Sequence, residues 1–302
     1  MIRASIDLGT NTCLLLIVEW NPESQTIHKI LTDQTTVVRL GEGVDRFRKF
    51  QPVAMERTLV CLKEYTTQLR KYGARPESVV CVATSQARDA SNSSQFFEQI
   101  KSETDLSFQI ISGDQEARYT FQGALLPGMD PKNSVVLDIG GGSTEIISTQ
   151  GAQSIDIGSV RFTERYLKSD PVTDEEFWAC QEAIDEALRA FEPWQSSSQD
   201  LIAVAGTATT LAALFLKLNA FDPAQIDEAR LTRGDLHRMV EELKWRTVAE
   251  RQLLSGMEPA RADVILAGAL ILWRVLEKLH YGECRVSTRG LRYGALTSQL
   301  GL

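Results

Sequence analysis

SVVLDIGGGSTEII, residues 134–147, decides how this chain folds. A run of apolar and β-branched residues closes on Asp138, three glycines with Ser143 and Thr144 follow, and Glu145 opens a second apolar run. The pattern is strand, tight turn, strand. A turn of small residues exposes backbone N–H groups, and successive exposed amides form a nest for anionic oxygens. The same grammar stands near the N-terminus in SIDLGTNTCLLLIV, residues 5–18. There a strand over 4–8 ends beside Asp7, a turn of Gly9, Thr10, Asn11 and Thr12 follows, and a strand over 13–18 departs. Asp7 and Asp138 lie 131 residues apart. Two such units, one per half, predict a duplicated α/β fold with a cleft between its lobes.

Other phosphate loops fail on residue type. No glycine is followed by lysine, which a Walker A loop needs. The dinucleotide fingerprint needs a helix after its turn, whereas Ile146 and Ile147 continue as a strand.

Outward from the two turns, a short strand is expected over 36–40. A helix is expected over 53–72, its apolar spacing running through Leu59, Leu62 and Leu69, with Gly73 as its cap. Strands follow over 79–82 and 108–111, a helix over 94–104, and a helix beginning near Gly113. In the second half the sheet is expected to continue over 155–158. A helix over 174–191 has Thr173 as its N-cap. Residues 195–199 read as a loop, 201–205 as a strand and 207–218 as a helix. The remainder is mostly helical, with a strand near 285–286 and a last helix from Leu291. Lobe boundaries fall at 1–120, completed by the terminal helix 290–302, and 121–302.

Length and composition bound the function. The 302 residues exceed what one core usually holds, and 43% hydrophobic with 24% charged is ordinary for a globular protein. A formal net charge of −8 argues against a general nucleic-acid binder while allowing a local cationic pocket. Five dispersed cysteines without a CxxC pair predict reduced thiols in a cytoplasmic protein. The three histidines share no zinc-ligand spacing. No leader pattern is present, and the apolar run 264–273 is too short to span a bilayer. No membrane partner is expected. The tryptophans Trp178, Trp194, Trp245 and Trp273 read as packing residues, and Arg246 and Arg251 as solvated cations.

The chain resembles the ASKHA superfamily of actin, sugar kinases and heat-shock ATPases, and more closely the exopolyphosphatase / guanosine pentaphosphate phosphohydrolase (Ppx/GppA) family. The resemblance rests on SIDLGTNT (5–12), ATSQARDA (83–90), ISGDQEA (111–117), DIGGGSTE (138–145), GSVRFTE (158–164), GTATTLA (206–212), GMEPARAD (256–263) and STRGLRYG (287–294), in order and nearly end to end. It implies two ribonuclease-H-like lobes and a hydrolase of terminal phosphoanhydride bonds, acting on inorganic polyphosphate or guanosine pentaphosphate. An ATP-dependent kinase or ATPase of the superfamily, and a non-catalytic sensor of guanosine polyphosphate, are the rival readings.

By resemblance, Glu116 activates water and Arg88 grips phosphate oxygens. Asp7, Asp138 and Glu145 organise Mg²⁺, with Mn²⁺ the other candidate. The first turn (Gly9, Thr10, Asn11), the second (Gly141, Gly142, Ser143, Thr144) and the helix start at Gly206 and Thr207 bind phosphate. Each has a plainer reading: Glu116 as a first-turn helix acid, Arg88 as a surface ion-pair partner of Asp89 or of a helix acid, Glu145 as a solvated strand-end acid, Gly206 as an N-cap. Asp114 is a rival carboxylate off the family position. Arg261 touches phosphate or braces through Asp263, and bracing is the expectation. A homodimer is implied. Ending at Leu302, just after the GLRYG helix, the chain is expected to do without the further C-terminal helical domains of long family members, and the resemblance then points towards short polyphosphates or a guanosine polyphosphate.

Overall fold

The computed structural model describes residues 1–24, 26–75, 78–195 and 199–298. Residues 196–198 of the expected 195–199 loop, and the end of the expected terminal helix, lie outside them. The chain divides into two compact units. One is Met1–Gly123 together with the C-terminal helix Leu291–Ser298, and the other is Ala124–Gly290.

The first unit is built on β1 (Ile2–Leu8), β2 (Thr12–Asn21), β3 (Thr26–Val37), β4 (Val79–Ala83) and β5 (Phe108–Ile110), in the order β3-β2-β1-β4-β5. β1, β2 and β3 pair antiparallel, while β4 and β5 join in parallel. Its helices are α1 (Val44–Phe47), α2 (Pro52–Lys71), α3 (Ser85–Asp89), α4 (Ser93–Thr104) and α5 (Gly113–Ala124). Alternation along β1 sorts its side chains. Ala4, Ile6 and Leu8 face a core completed by Leu62 and Tyr65 of α2 and by Phe96 and Ile100 of α4. Ser5 and Asp7 face the other way. There Leu16, Val18, Val80 and Val82 pack on Leu291, Tyr293, Ala295 and Leu296 of the C-terminal helix, and Ser5 Oγ donates to the Arg292 carbonyl at 2.7 Å.

The second unit repeats the theme with β6 (Ser134–Ile139), β7 (Thr144–Ser148), β8 (Gly151–Ile155), β9 (Asp200–Val204), β10 (Arg230–Thr232) and β11 (Glu283–Val286), in the order β10-β11-β9-β6-β7-β8. Strands β8-β7-β6-β9-β11 match β3-β2-β1-β4-β5 in order, and each pairing matches its counterpart in direction. β10 is an added antiparallel edge. These are two ribonuclease-H-like lobes. The helices are α6 (Ser159–Tyr166), α7 (Asp174–Ala187), α8 (Ala205–Phe215), α9 (Pro223–Asp227), α10 (Arg233–Lys244), α11 (Val248–Gln252) and α12 (Ile265–Lys278). The apolar run 264–273 is buried within α12, so its composition records a core position. No described helix is long and apolar enough to cross a membrane.

Several expectations need correction. The third strand runs over Thr26–Val37 rather than 36–40, and residues 38–41 turn back to the first glycine turn. The sheet stops at Ile155, and Gly158 begins a helix. α7 ends at Ala187 and passes into a 3-10 turn, Leu188–Trp194, that holds Pro193. Thr173 does cap α7, in a reciprocal box with Glu176. Trp178 and Trp245 are exposed and lie around the buried Lys244 ammonium instead of filling a core. Arg251 is buried and donates to the carbonyls of Leu243 and Ala262.

Candidate active site

The two glycine turns are the same structure made twice. Leu8 pairs with Cys13 and Ile139 with Thr144. Gly9 N–H donates to the Thr12 carbonyl at 2.8 Å, and Gly140 N–H to the Ser143 carbonyl at 3.0 Å. In both, the segment after the third strand returns to take the turn's carbonyls. Amides of Val38, Arg39 and Gly41 donate to Asn11 and Thr10, and those of Ser159, Val160 and Arg161 donate to Gly140 and Gly141. A Cβ at Gly41 would stand 2.3 Å from Thr10 Cγ2, and one at Gly158 2.4 Å from the Gly141 oxygen. Only glycine admits this approach. Among the described residues no backbone acceptor claims the amides of Thr10 and Asn11, or of Gly141, Gly142 and Ser143. A loop whose carbonyls are occupied and whose amides are not is polarised for an anion.

In the first unit, Thr10 is tied into a buried polar cluster. Its hydroxyl lies 3.3 Å from Ser85 Oγ and 3.4 Å from Gln86 Oε1, while Gln86 Nε2 donates to the Leu8 carbonyl at 2.7 Å. Gln86 is the second residue of the short helix α3, two residues before Arg88. Arg88 NH1 donates to Glu116 Oε2 and to the Ile111 carbonyl, each at 2.9 Å. The turn, Arg88 and Glu116 are therefore brought together through one helix. Arg88's ion-pair partner is Glu116, an acid in the first turn of α5.

Glu116 is 9% exposed in the first turn of α5, whereas Asp114 is exposed. Burial raises the carboxyl of Glu116, and the Arg88 guanidinium opposes that rise without cancelling it. Asp7 is pushed up to about 7 by burial, then by the neighbouring Glu116 charge, with Arg292 pulling the other way. Its Oδ1 is buried without a hydrogen-bond partner. Arg292 is itself clamped by Asp33, Nε to Oδ1 at 2.8 Å and NH2 to Oδ2 at 2.9 Å, and Tyr293 Oη donates to the same carboxylate. The C-terminal helix thereby puts a fixed cation beside Asp7. Its Gly294 lies against the Tyr119 carbonyl of α5, where a Cβ would come within 1.7 Å.

In the second unit Asp138 and Glu145 are cross-strand partners in β6 and β7. Glu145 is buried and its Oε1 accepts from Ser154 Oγ at 2.7 Å, so it is not a solvated strand end. Thr144 Oγ1 donates to the Ile157 carbonyl at 2.7 Å, and Arg161 Nε to the Gly142 carbonyl at 2.7 Å. Gly206 and Thr207 stand in the first turn of α8, which opens on Ala205 at a left-handed φ of 66°. The Arg261 guanidinium lies against Gly206, and its Nε donates to Glu258 at 2.6 Å. That pair replaces the expected one with Asp263. The three carboxylates expected to organise metal are divided, Asp7 in the first unit and Asp138 with Glu145 in the second. Among the described residues no three His, Cys, Asp or Glu side chains cluster as a metal cage.

Sequence reading missed Gln86, Asp33 and Arg292. Gln86 and Arg292 sit inside the quoted motifs, which was the available signal. Asp33 lies in a polar edge strand with none.

Residues 17–302 match the Ppx/GppA phosphatase family; the first turn lies ahead of that stretch. Among curated relatives, a bifunctional 3-dehydroquinate synthase/phosphatase of Fusobacterium nucleatum is 35% identical over 288 residues, covering 91% of this chain and 43% of that protein. The chain therefore spans less than half the length of that relative. Exopolyphosphatase 2 of Mycobacterium tuberculosis is 36% identical over 295 residues, covering 91% and 90%. The crystal structure of an exopolyphosphatase from Cytophaga hutchinsonii superposes with a TM-score of 0.88 at 28% identity, covering 100% and 98%.

Proposed function

We propose, for a chain that belongs to the Ppx/GppA phosphatase family, hydrolysis of the terminal phosphoanhydride bond of inorganic polyphosphate, with guanosine pentaphosphate as the second candidate substrate. The observation that carries this is Glu116. It is a buried carboxylate with a raised proton affinity, held by Arg88 and tied through α3 to a turn of unclaimed amides. A carboxylate of raised proton affinity is suited to accept a proton from water.

Water oxygen bonds to the terminal phosphorus, its proton passes to a Glu116 oxygen, and the phosphorus–oxygen bond to the next phosphate breaks. The products are orthophosphate and a chain shortened by one unit. Turn amides hold the phosphoryl oxygens, and Arg88 both orients Glu116 and neutralises charge developing in transfer. Asp7 in the first unit, and Asp138 and Glu145 in the second, are oxygen donors of the type Mg²⁺ prefers, and the orphaned Oδ1 of Asp7 fits such a role. Bound at Asp7, Mg²⁺ would neutralise the charge of the phosphate chain. The five cysteines are free thiols, which supports placing the protein in the reducing cytoplasm.

The test is Mg²⁺-dependent phosphate release from tripolyphosphate, long-chain polyphosphate, guanosine pentaphosphate and ATP by wild type and Glu116→Gln. Release from one of the first three, lost in the variant while binding persists, is expected. ATP turnover above all others would favour the ATPase reading. Binding without release by wild type would favour the sensor.

A further inference from the structure

Residues 38–50, VRLGEGVDRFRKF, form an arm that leaves β3 and enters α2. Both its ends are fastened to the elements that assemble Glu116 and its turn. At the start, Val38, Arg39 and Gly41 donate to the first-turn carbonyls at 2.8–2.9 Å. At the end, the Arg48 carbonyl accepts from Ser91 N–H at 2.9 Å. The Asn92 side chain bonds both the N–H and the carbonyl of Phe50, at 2.8 and 3.1 Å. Ser91 and Asn92 follow α3, the helix of Arg88. Arg57 of α2 adds a brace by donating to the carbonyls of Val38 and Arg39 and to Glu42. Left-handed residues at Arg39, Gly43 and Arg48 define the arm's path between these anchors.

Arg46, Arg48 and Lys49 stand exposed between the anchors, and among the described residues none of the three enters an ion pair. Scattered surface cations are ordinarily a solvated face. These three are different in setting: they are nearly consecutive, in a chain of net charge −8, on a segment hydrogen-bonded to an anion-binding turn. A flexible basic loop would have to be ordered on binding, whereas this backbone is already fixed.

We propose that the arm is an extension subsite for condensed phosphate, where Arg46, Arg48 and Lys49 take units of a polyphosphate chain beyond the one removed. This rests on the hydrolase reading above. It makes affinity depend on chain length, because a tripolyphosphate offers few units beyond its terminus and a long chain offers many. It also makes long-chain affinity salt-dependent through counterion release.

The experiment compares wild type, the triple variant Arg46→Gln/Arg48→Gln/Lys49→Gln, and the charge-preserving Arg46→Lys/Arg48→Lys/Lys49→Arg. KM is measured for tripolyphosphate and long-chain polyphosphate across a salt series, with direct binding of the long chain by competition. In the neutralised variant the ratio of long-chain to tripolyphosphate KM should rise about tenfold, equivalent to 1.4 kcal/mol. The log–log salt slope for the long chain should flatten by about two, at roughly 0.7 per lost contact. The charge-preserving variant should keep the wild-type ratio. An unchanged ratio, or equal loss in both variants, overturns the subsite. So does single-stranded RNA of equal charge competing as well as polyphosphate. No release from either substrate by wild type would sink the hydrolase reading instead, and equal long-chain binding by wild type and the neutralised variant would then reject the arm separately.

Discussion

Replacing Asp7 by Asn should stabilise the protein above neutral pH while removing its activity. In the fold the carboxyl is moved from 3.8 to about 7, by burial first and the Glu116 charge second, against Arg292. The unfolded chain releases this proton near 3.8, and the folded chain holds it until about 7. Across that window the folded state binds more protons, so wild-type stability falls as pH rises and levels off above it. At 1.36 kcal/mol for each pH unit, the whole window amounts to about 4 kcal/mol, an upper bound because water and cations relieve a buried anion. Half of that, about 2 kcal/mol, corresponds to roughly 4 °C in Tm for a protein of this size. Thermal unfolding in EDTA checks it. The two proteins should melt together near pH 4, with the variant about 4 °C higher near pH 8. Added Mg²⁺ should raise the wild-type Tm more than that of the variant. A gap of equal size at both pH values, or a less stable variant at the higher one, would refute the account of Asp7 as a buried anion that Arg292 only partly compensates.

Two further outcomes follow from the geometry. Arg88→Met removes the cation that opposes the raised proton affinity of Glu116, so the acid limb of the rate profile should move to higher pH. At neutral pH kcat should fall about tenfold or more, from about 1.5 kcal/mol for a partly exposed charged hydrogen bond, and recover only in part as pH rises, because the charge Arg88 neutralises in transfer stays uncovered. An unmoved acid limb would show that the pair is structural only. Gly158→Ala forces α6 away from the Gly141 carbonyl, which should lower stability by about 1–3 kcal/mol and raise KM for every phosphate substrate. Denaturant unfolding and steady-state kinetics that match wild type would contradict the close packing of helix and turn.

The parts of the fold carried by local chemistry were legible in the sequence. Asp7 and Asp138 with their turns, the strands beside them, and the Thr173 cap depend on residues within a few positions of one another. The misread strands were the edges. β3 and β8 are largely polar and partly exposed, so the alternation that marks a half-buried strand is absent. β10 has three residues and exists because β11 is there to pair with it. Residues acting at long range were equally silent. Gln86 reaches back 78 residues to Leu8 and Arg292 reaches 259 to Asp33. No window of sequence contains either partnership. Arg251 shows the converse error: a cation on a helix reads as solvated until its acceptors are known.

The placement of the C-terminal helix has a consequence for synthesis. The second unit is one continuous stretch, whereas the first takes its last element from the far end of the chain. A ribosome therefore finishes the material for the second unit before the first can close, although the first emerges earlier. Until Leu291–Ser298 arrives, one face of the first sheet, with Leu16, Val18, Val80 and Val82, is uncovered and Asp7 stands without Arg292. An interrupted chain would therefore carry Asp7 without the cation that accompanies it in the finished fold. It would also show an apolar sheet face of the kind that chaperones recognise.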